Sequence, residues 1–392
     1  MNNLQQHSIL FLATEYECGM RPYACTIIHS MWNDRSHAIV VIKDEKYKKD
    51  FADLDPARVH FIHYPTRKLK KLWFRFFPNQ LIKSIFKLLK EFDIEVVYSL
   101  TGELVLNTSI KKIQKHAPLL YTVHDAIPHE TKLPFFTLIK ERLIVTWPQQ
   151  ALLKKTPIKI TNSKAQLRFI EQNFSGSIVH YAPFPSLVNT DIANGKVLVP
   201  ETKAISNYIL FFGRIDAYKG VDLLYKCYCS HPELQNMDLV FVGPGNYYFP
   251  VTFTKNVVVI NRFLDDNELA NLFGKAAVVV YPYISATQSG VISIASFFKR
   301  PIVLSNVDYF KEVADGYPGT TFFKNGDIDD MAKAITKAAT EKASSENLYS
   351  TLYHTDAMRK RLTSIIHKVA IVQQQSSDRL EIVSNSLCEK KD

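Results

Sequence analysis

The chain has 392 residues, 46% hydrophobic and 22% charged, with a formal net charge of +10. That balance excludes a disordered chain and fits two domains of ordinary size, each with its own core. The positive excess asks for an acidic partner, whether anionic lipid, an anionic donor substrate or nucleic acid.

Apolar runs of four to six residues alternate with longer amphipathic stretches, the pattern of parallel βαβ units. The first half predicts strands at Ser8–Ala13, Ala38–Ile42, Val59–His63, Val96–Ser99, Leu119–Val123 and Lys159–Asn162. The loop TEYECGMRPY (14–23) offers only Gly19 for a tight turn, and its Arg21 reads first as a solvated arginine and second as a contact for acceptor or phosphate. Between Arg67 and Lys90 stand eight basic residues and no acidic one. Leu69, Leu72, Trp73 and Phe76 recur there at helical spacing, as do Leu81, Ile82, Ile85, Phe86 and Leu89. The second helix is expected to pack on a sheet. The first, with Trp and Phe among unbalanced Arg and Lys, suits an anionic membrane surface. No helix-turn-helix, zinc-finger or RRM signature accompanies these charges, so no nucleic-acid partner is expected.

In YTVHDAIPHE (121–130), His124 and Asp125 fall at the end of a strand. His124 is a candidate to hydrogen-bond a sugar or a developing oxyanion, and Asp125 to orient His124 or an acceptor hydroxyl. A surface pair or cap is the plain alternative, and a metal site formed with His129 is disfavoured. Pro183 and Pro185 open an aperiodic stretch near 182–206 that reads as the connection between domains.

The second half predicts strands at Tyr208–Phe212, Leu239–Val242, Val257–Ile260, Ala277–Tyr281, Ile302–Leu304 and Thr321–Phe323. The run FFGRIDAYKG (211–220) sets Arg214 and Lys219 five apart behind the first of these, with Gly213 permitting a tight turn. Arg214 offers a forked donor and Lys219 a point charge to one anion. Seventy residues later, Thr287, Gln288, Ser289, Gly290 and Val291 stand where Ala277–Tyr281 hands over to a helix, which leaves backbone N–H groups for phosphate. Both segments follow carboxyl ends of strands, where open α/β sheets bind ligands. Asp265-Asp266 and Asp329-Asp330 precede helical runs and read as caps, not as metal ligands. A last helix is predicted over Asp356–Val372, followed by a polar, mobile tail over 373–392. Five cysteines, Cys18, Cys25, Cys227, Cys229 and Cys388, form an odd count without a CxxC pair, so neither a disulfide framework nor zinc is expected. No apolar stretch reaches the ~20 residues that span a bilayer, and the N-terminus lacks the basic start of a signal peptide. A cytoplasmic location, peripheral on the membrane, is the expectation.

The string FFGRIDAYKGVDLL, followed by FVGPG, FLDDNELANLFGKAAVVVYPY, SATQSGV, RPIVLSNVDYFKEV and GDIDDMAKAI, resembles the carboxyl half of a family 4 glycosyltransferase with the GT-B fold. The resemblance implies an α/β chain of two Rossmann-like domains facing across a cleft. An acceptor domain would occupy 1–190 and a donor-nucleotide domain 200–355, with the helix 356–372 packing back on the first. It implies that Arg214 and Lys219 hold the donor diphosphate, that backbone from Gln288 to Val291 completes its cradle, and that Phe263 meets the nucleobase. His124 resembles the histidine that faces the donor sugar.

Many members of that family carry two glutamates eight positions apart. Alignment on Gly290 puts Thr287 and Ala295 at those positions, so the chain resembles a branch lacking both carboxylates. The implied activity is a retaining, metal-independent transfer, without a cofactor, from a UDP- or GDP-sugar to a lipid-linked or polysaccharide acceptor in cell-surface glycan synthesis. A non-catalytic scaffold of the same fold and a sugar-nucleotide epimerase are the alternatives. A glycoside phosphorylase is disfavoured because no pyridoxal-phosphate lysine site is legible.

Overall fold

The computed structural model describes residues 7–17, 19–101, 106–126, 146–250, 256–341 and 347–388, with backbone alone for 372–388. It divides into two compact units, Met1–Asn162 with Gln166–Ala182 and Met358–Asp392, and Ser163–Ala165 with Pro183–Ala357. Each is built on one wholly parallel sheet.

The first unit holds β1 (Ile9–Ala13), β2 (His37–Ile42), β3 (Val59–His63), β4 (Val96–Thr101), β5 (Leu119–Val123), β6 (Ile158–Thr161) and β7 (Ile178–Tyr181), in the order β3-β2-β1-β4-β5-β6-β7. Every residue of β1, β2, β4, β5 and β6 is buried, as expected of strands covered on both faces. Phe11 sits in register with Ala38 on one side and Tyr98 on the other. The strand β7 is missing from the sequence reading. It is a four-residue edge strand, only partly buried, and shows no apolar run.

The second unit holds β8 (Tyr208–Phe212), β9 (Leu239–Val242), β10 (Val257–Ile260), β11 (Ala276–Tyr281), β12 (Ile302–Ser305) and β13 (Thr320–Phe323), ordered β10-β9-β8-β11-β12-β13. This is the Rossmann order, whose direction reverses between β8 and β11. The core of this unit begins in the segment read from sequence as a connection. Ile192 and Val199 belong to it, Leu187 packs against it, and the Leu187 N–H donates to Ser293 Oγ at 3.0 Å. The second unit therefore starts at Pro183, earlier than residue 200.

The final helix runs Thr355–Cys388, so the tail expected to be mobile is helical as far as 388. Its Leu362, Ile365, Ile366 and Val369 are buried. Within the first unit Arg359 Nε donates to the Ser30 carbonyl at 2.6 Å, and His367 Nδ1 meets His7 Nε2 at 3.0 Å. Of the basic segment, Lys68–Phe76 and Asn79–Glu91 are helices. The second buries Leu81, Ile85 and Leu88, whereas the first buries Phe74 and leaves its apolar stripe in solvent.

Candidate functional site

The two segments singled out in the second half meet in space. Past β8 the chain turns at Gly213 (φ 149°) and forms a single 3₁₀ turn, Ala217–Lys219. It re-enters a helix, Val221–Ser230, through Gly220 (φ 63°). Gly220 packs so closely on the Pro282 carbonyl that a Cβ would lie 2.0 Å from its oxygen. The Ile284 N–H donates to the Tyr218 carbonyl at 2.7 Å. The loop after β11 is thus fastened to the loop after β8, at the point where the strand order reverses.

A third turn supports them from beneath. A Cβ on Gly243 would lie 2.1 Å from the Gly213 carbonyl oxygen, and one on Gly245 would lie 2.5 Å from that of Ile215. Ile215 and Gly245 form a parallel bridge. The GPG run after β9 is needed because no side chain fits where the two backbones touch.

Lys219 is buried at this junction. Its Nζ lies 5.2 Å from the Tyr283 ring centroid and 5.8 Å from that of Tyr218. It is also 3.1 Å from where a side chain on Gly213 would start. Among the described residues no hydrogen bond or ion pair reaches Nζ. Burial lowers its pKa, Tyr218 and Asp216 pull the other way, and Arg214 adds to the lowering. A buried ammonium between two ring faces is electrostatically incomplete, and an anion would complete it.

Arg214 is exposed, and its Nε donates to Asp216 Oδ2 at 2.6 Å. The ion pair orients the guanidinium at the mouth of the same turn. The Tyr283 hydroxyl is buried beside Ser289 without a closed hydrogen bond. The Ser289 carbonyl accepts from Tyr309 Oη at 3.1 Å, and Tyr281 Oη donates to the Val291 carbonyl at 3.2 Å. Together these fix the backbone of the 288–291 segment. Gly290 precedes the helix Val291–Phe297, and no side chain caps that helix. A Cβ on Gly290 would clash with Leu187 and Phe184 at 2.7 Å.

Other candidates are placed as follows. Phe263 is exposed, on a loop braced by Arg262, whose guanidinium pairs with Glu268 and Glu201. Thr287 is half-buried beside Gln288. Ala295 lies fully inside the second core. Asp265 caps its helix in a capping box with Glu268, with Asp266 in the first turn; Asp329 and Asp330 are not caps but lie in the first turn of Ile328–Thr340, whose cap is Asp327, accepting from the Asp330 N–H. In the first unit His124 is buried. Its Nε2 donates to the Leu100 carbonyl at 2.7 Å and its ring meets Tyr23 edge-on at 4.8 Å. Its tautomer and orientation are therefore set by Leu100 and Tyr23. The Asp125 carbonyl accepts from Gln149. Arg21 is held bidentately by Asp50 at 2.6 and 2.7 Å, so an internal ion pair stands where a solvated arginine was expected. Cys18 and His129 lie outside the described residues. Tyr218 and Tyr283 were missed in the sequence, because aromatics flanking apolar strands read as core.

Residues 206–341 match the family described as Glycosyl transferases group 1. No curated protein matches the chain by sequence. Among solved structures, HepE from Anabaena in complex with UDP-glucose is similar at 15% identity and TM-score 0.62, covering 94% of this chain and 99% of that one. Sucrose-phosphate synthase from Thermosynechococcus elongatus is similar at 14% identity and TM-score 0.59, covering 96% and 100%. A trehalose-phosphate synthase from Burkholderia vietnamiensis is similar at 13% identity and TM-score 0.59, covering 94% and 99%. These likenesses are of fold: two Rossmann-like α/β domains of the GT-B type.

Proposed function

We propose that the protein is a retaining glycosyltransferase that moves a sugar from a UDP- or GDP-sugar to a hydroxyl of a lipid-linked or polysaccharide acceptor. The observation that carries this reading is the buried Lys219 ammonium, held between two tyrosine rings at the strand-order reversal of a glycosyl transferases group 1 domain. HepE, of the same fold, was solved with UDP-glucose and with UDP, which supports a uridine donor.

In this reading Lys219 and Arg214 bind the donor diphosphate, with backbone at Gln288–Val291 completing the cradle and Phe263 against the nucleobase. Gly213 keeps the approach to Nζ open. As the bond from the anomeric carbon to the diphosphate oxygen breaks, both cations offset the charge gathering on the leaving group. The acceptor oxygen bonds to the anomeric carbon on the same face, and its proton passes to a diphosphate oxygen. No covalent nucleophile, metal or cofactor enters this scheme. Thr287 takes the place of a carboxylate beside the donor sugar, and His124 and Asp125 serve the sugar or the acceptor. The enzyme works in the cytoplasm on an anionic membrane surface contacted through 67–90.

Calorimetry with UDP, GDP and their sugar conjugates tests this. One nucleotide is expected to bind at micromolar Kd, with Lys219→Ala and Arg214→Ala each weakening it by about tenfold or more. Binding of none, or binding indifferent to both changes, overturns the donor site. Tight nucleotide binding without transfer to any acceptor would favour the scaffold.

A further inference from the structure

Amphipathic helices ordinarily turn their apolar stripe toward the core. The Lys68–Phe76 helix does the reverse. At 100° per residue Leu72, Phe76, Leu69, Trp73 and Phe77 follow one another around one side. All five are exposed, Leu69 at 83% and Trp73 at 63%. Phe74 points the other way, buried against Tyr64 with ring centroids 5.4 Å apart, and belongs to the first unit's core. One aromatic pins the helix, and five large apolar side chains face solvent. Lys68 and Lys70 are exposed about 100° to either side of Leu69, Lys71 is exposed nearer the Phe74 side, and Arg67 is exposed at the N-cap.

We infer that this helix is a membrane anchor lying in the plane of an anionic lipid surface. It would bury Leu69, Leu72, Trp73, Phe76 and Phe77 at the headgroup and acyl boundary, with the basic side chains at the lipid phosphates. The inference deepens the membrane partner named above and rests on that reading for its purpose, though not for its geometry. Nine residues make a helix of about 14 Å, too short to cross a bilayer and long enough to lie on one. Trp73 and Phe77 pair at 4.6 Å, and aromatic rings favour this interfacial depth.

Charge selects the occupant. A second copy of the chain would set Arg67, Lys68, Lys70 and Lys71 against themselves, and like charges repel across an interface. Nucleic acid would satisfy the cations and leave the apolar stripe in water. Anionic lipid satisfies both, because basic side chains near the surface are drawn to its negative potential while the stripe enters the acyl boundary. The contact segment narrows to 67–77, because Asn79–Glu91 spends its apolar face on the core; its exposed Lys83, Lys87 and Lys90 add only to the attracting field.

The full chain should co-sediment with vesicles of phosphatidylcholine and phosphatidylglycerol but not with phosphatidylcholine alone, and its tryptophan emission should shift blue on binding. The triple change Leu69→Ser, Trp73→Ser and Phe76→Ser, which leaves Phe74 in place, should weaken sedimentation by roughly tenfold or more. It should leave the Tm and nucleotide binding unchanged, so failure here is distinguishable from failure of the donor site. Sedimentation with neither vesicle, or sedimentation indifferent to the triple change, overturns the anchor. So does a wild-type dimer in analytical ultracentrifugation that the triple change abolishes.

Discussion

At the scale of the residue, the conflict between burial and charge is concentrated at Lys219. Its ammonium keeps two π faces within reach and forms no ion pair among the described residues. The rings therefore position it. Replacing Tyr283 by Phe retains the face and drops only a hydroxyl without a closed hydrogen bond, so nucleotide affinity should hold. Replacing it by Leu removes the face, worth about 1–2 kcal/mol when desolvated, and calorimetry should show affinity falling several-fold. Equal affinities for the two variants would remove the positioning role. Lys219 was legible in sequence because a basic residue behind a strand and before a glycine is a pattern. Tyr283 was not, since only the fold carries it across from the strand beside β8.

Among the elements, β6 carries an unusual burden. Lys159 is fully buried, and its Nζ donates to the Thr156 carbonyl and to Ser177 Oγ at 2.7 Å. Burial lowers its pKa from 10.5 to about 8. The unfolded chain keeps that proton to higher pH than the folded one. Between about pH 8 and 10.5 the unfolded state thus binds more protons, and this residue's contribution to stability rises with pH across that window. Urea midpoints at both ends should show the rise in wild type relative to Lys159→Met, in which it should vanish; parallel curves would mean that the amine stays charged. Strand reading found β6 within a residue of its bounds because its neighbours are apolar. It missed β7, whose residues are half in solvent, since an edge strand is fixed by its partner and not by its own composition.

In the whole molecule, two sheets have separate cores. The C-terminal helix belongs to the first unit, through Leu362, Ile365, Ile366, Val369 and the Arg359 bond to Ser30. Truncation after Ala357 should lower amide protection in β1 and in the helix Met20–Met31, while β8, β9 and β11 keep theirs. Hydrogen exchange read by mass spectrometry decides this, and uniform loss across both sheets would contradict separate cores.

The sequence by itself determined the α/β class, twelve of the thirteen strands among the described residues and the two loops of the candidate site. Apolar runs, glycines and caps act over a few residues and leave local signatures. Only the tertiary structure decided which side of Lys68–Phe76 meets the core, that Arg21 belongs to Asp50, that Ala295 lies inside the second core, and that Tyr283 faces Lys219. Each of these depends on residues far apart in the chain, and such partners become neighbours only when the sheets form.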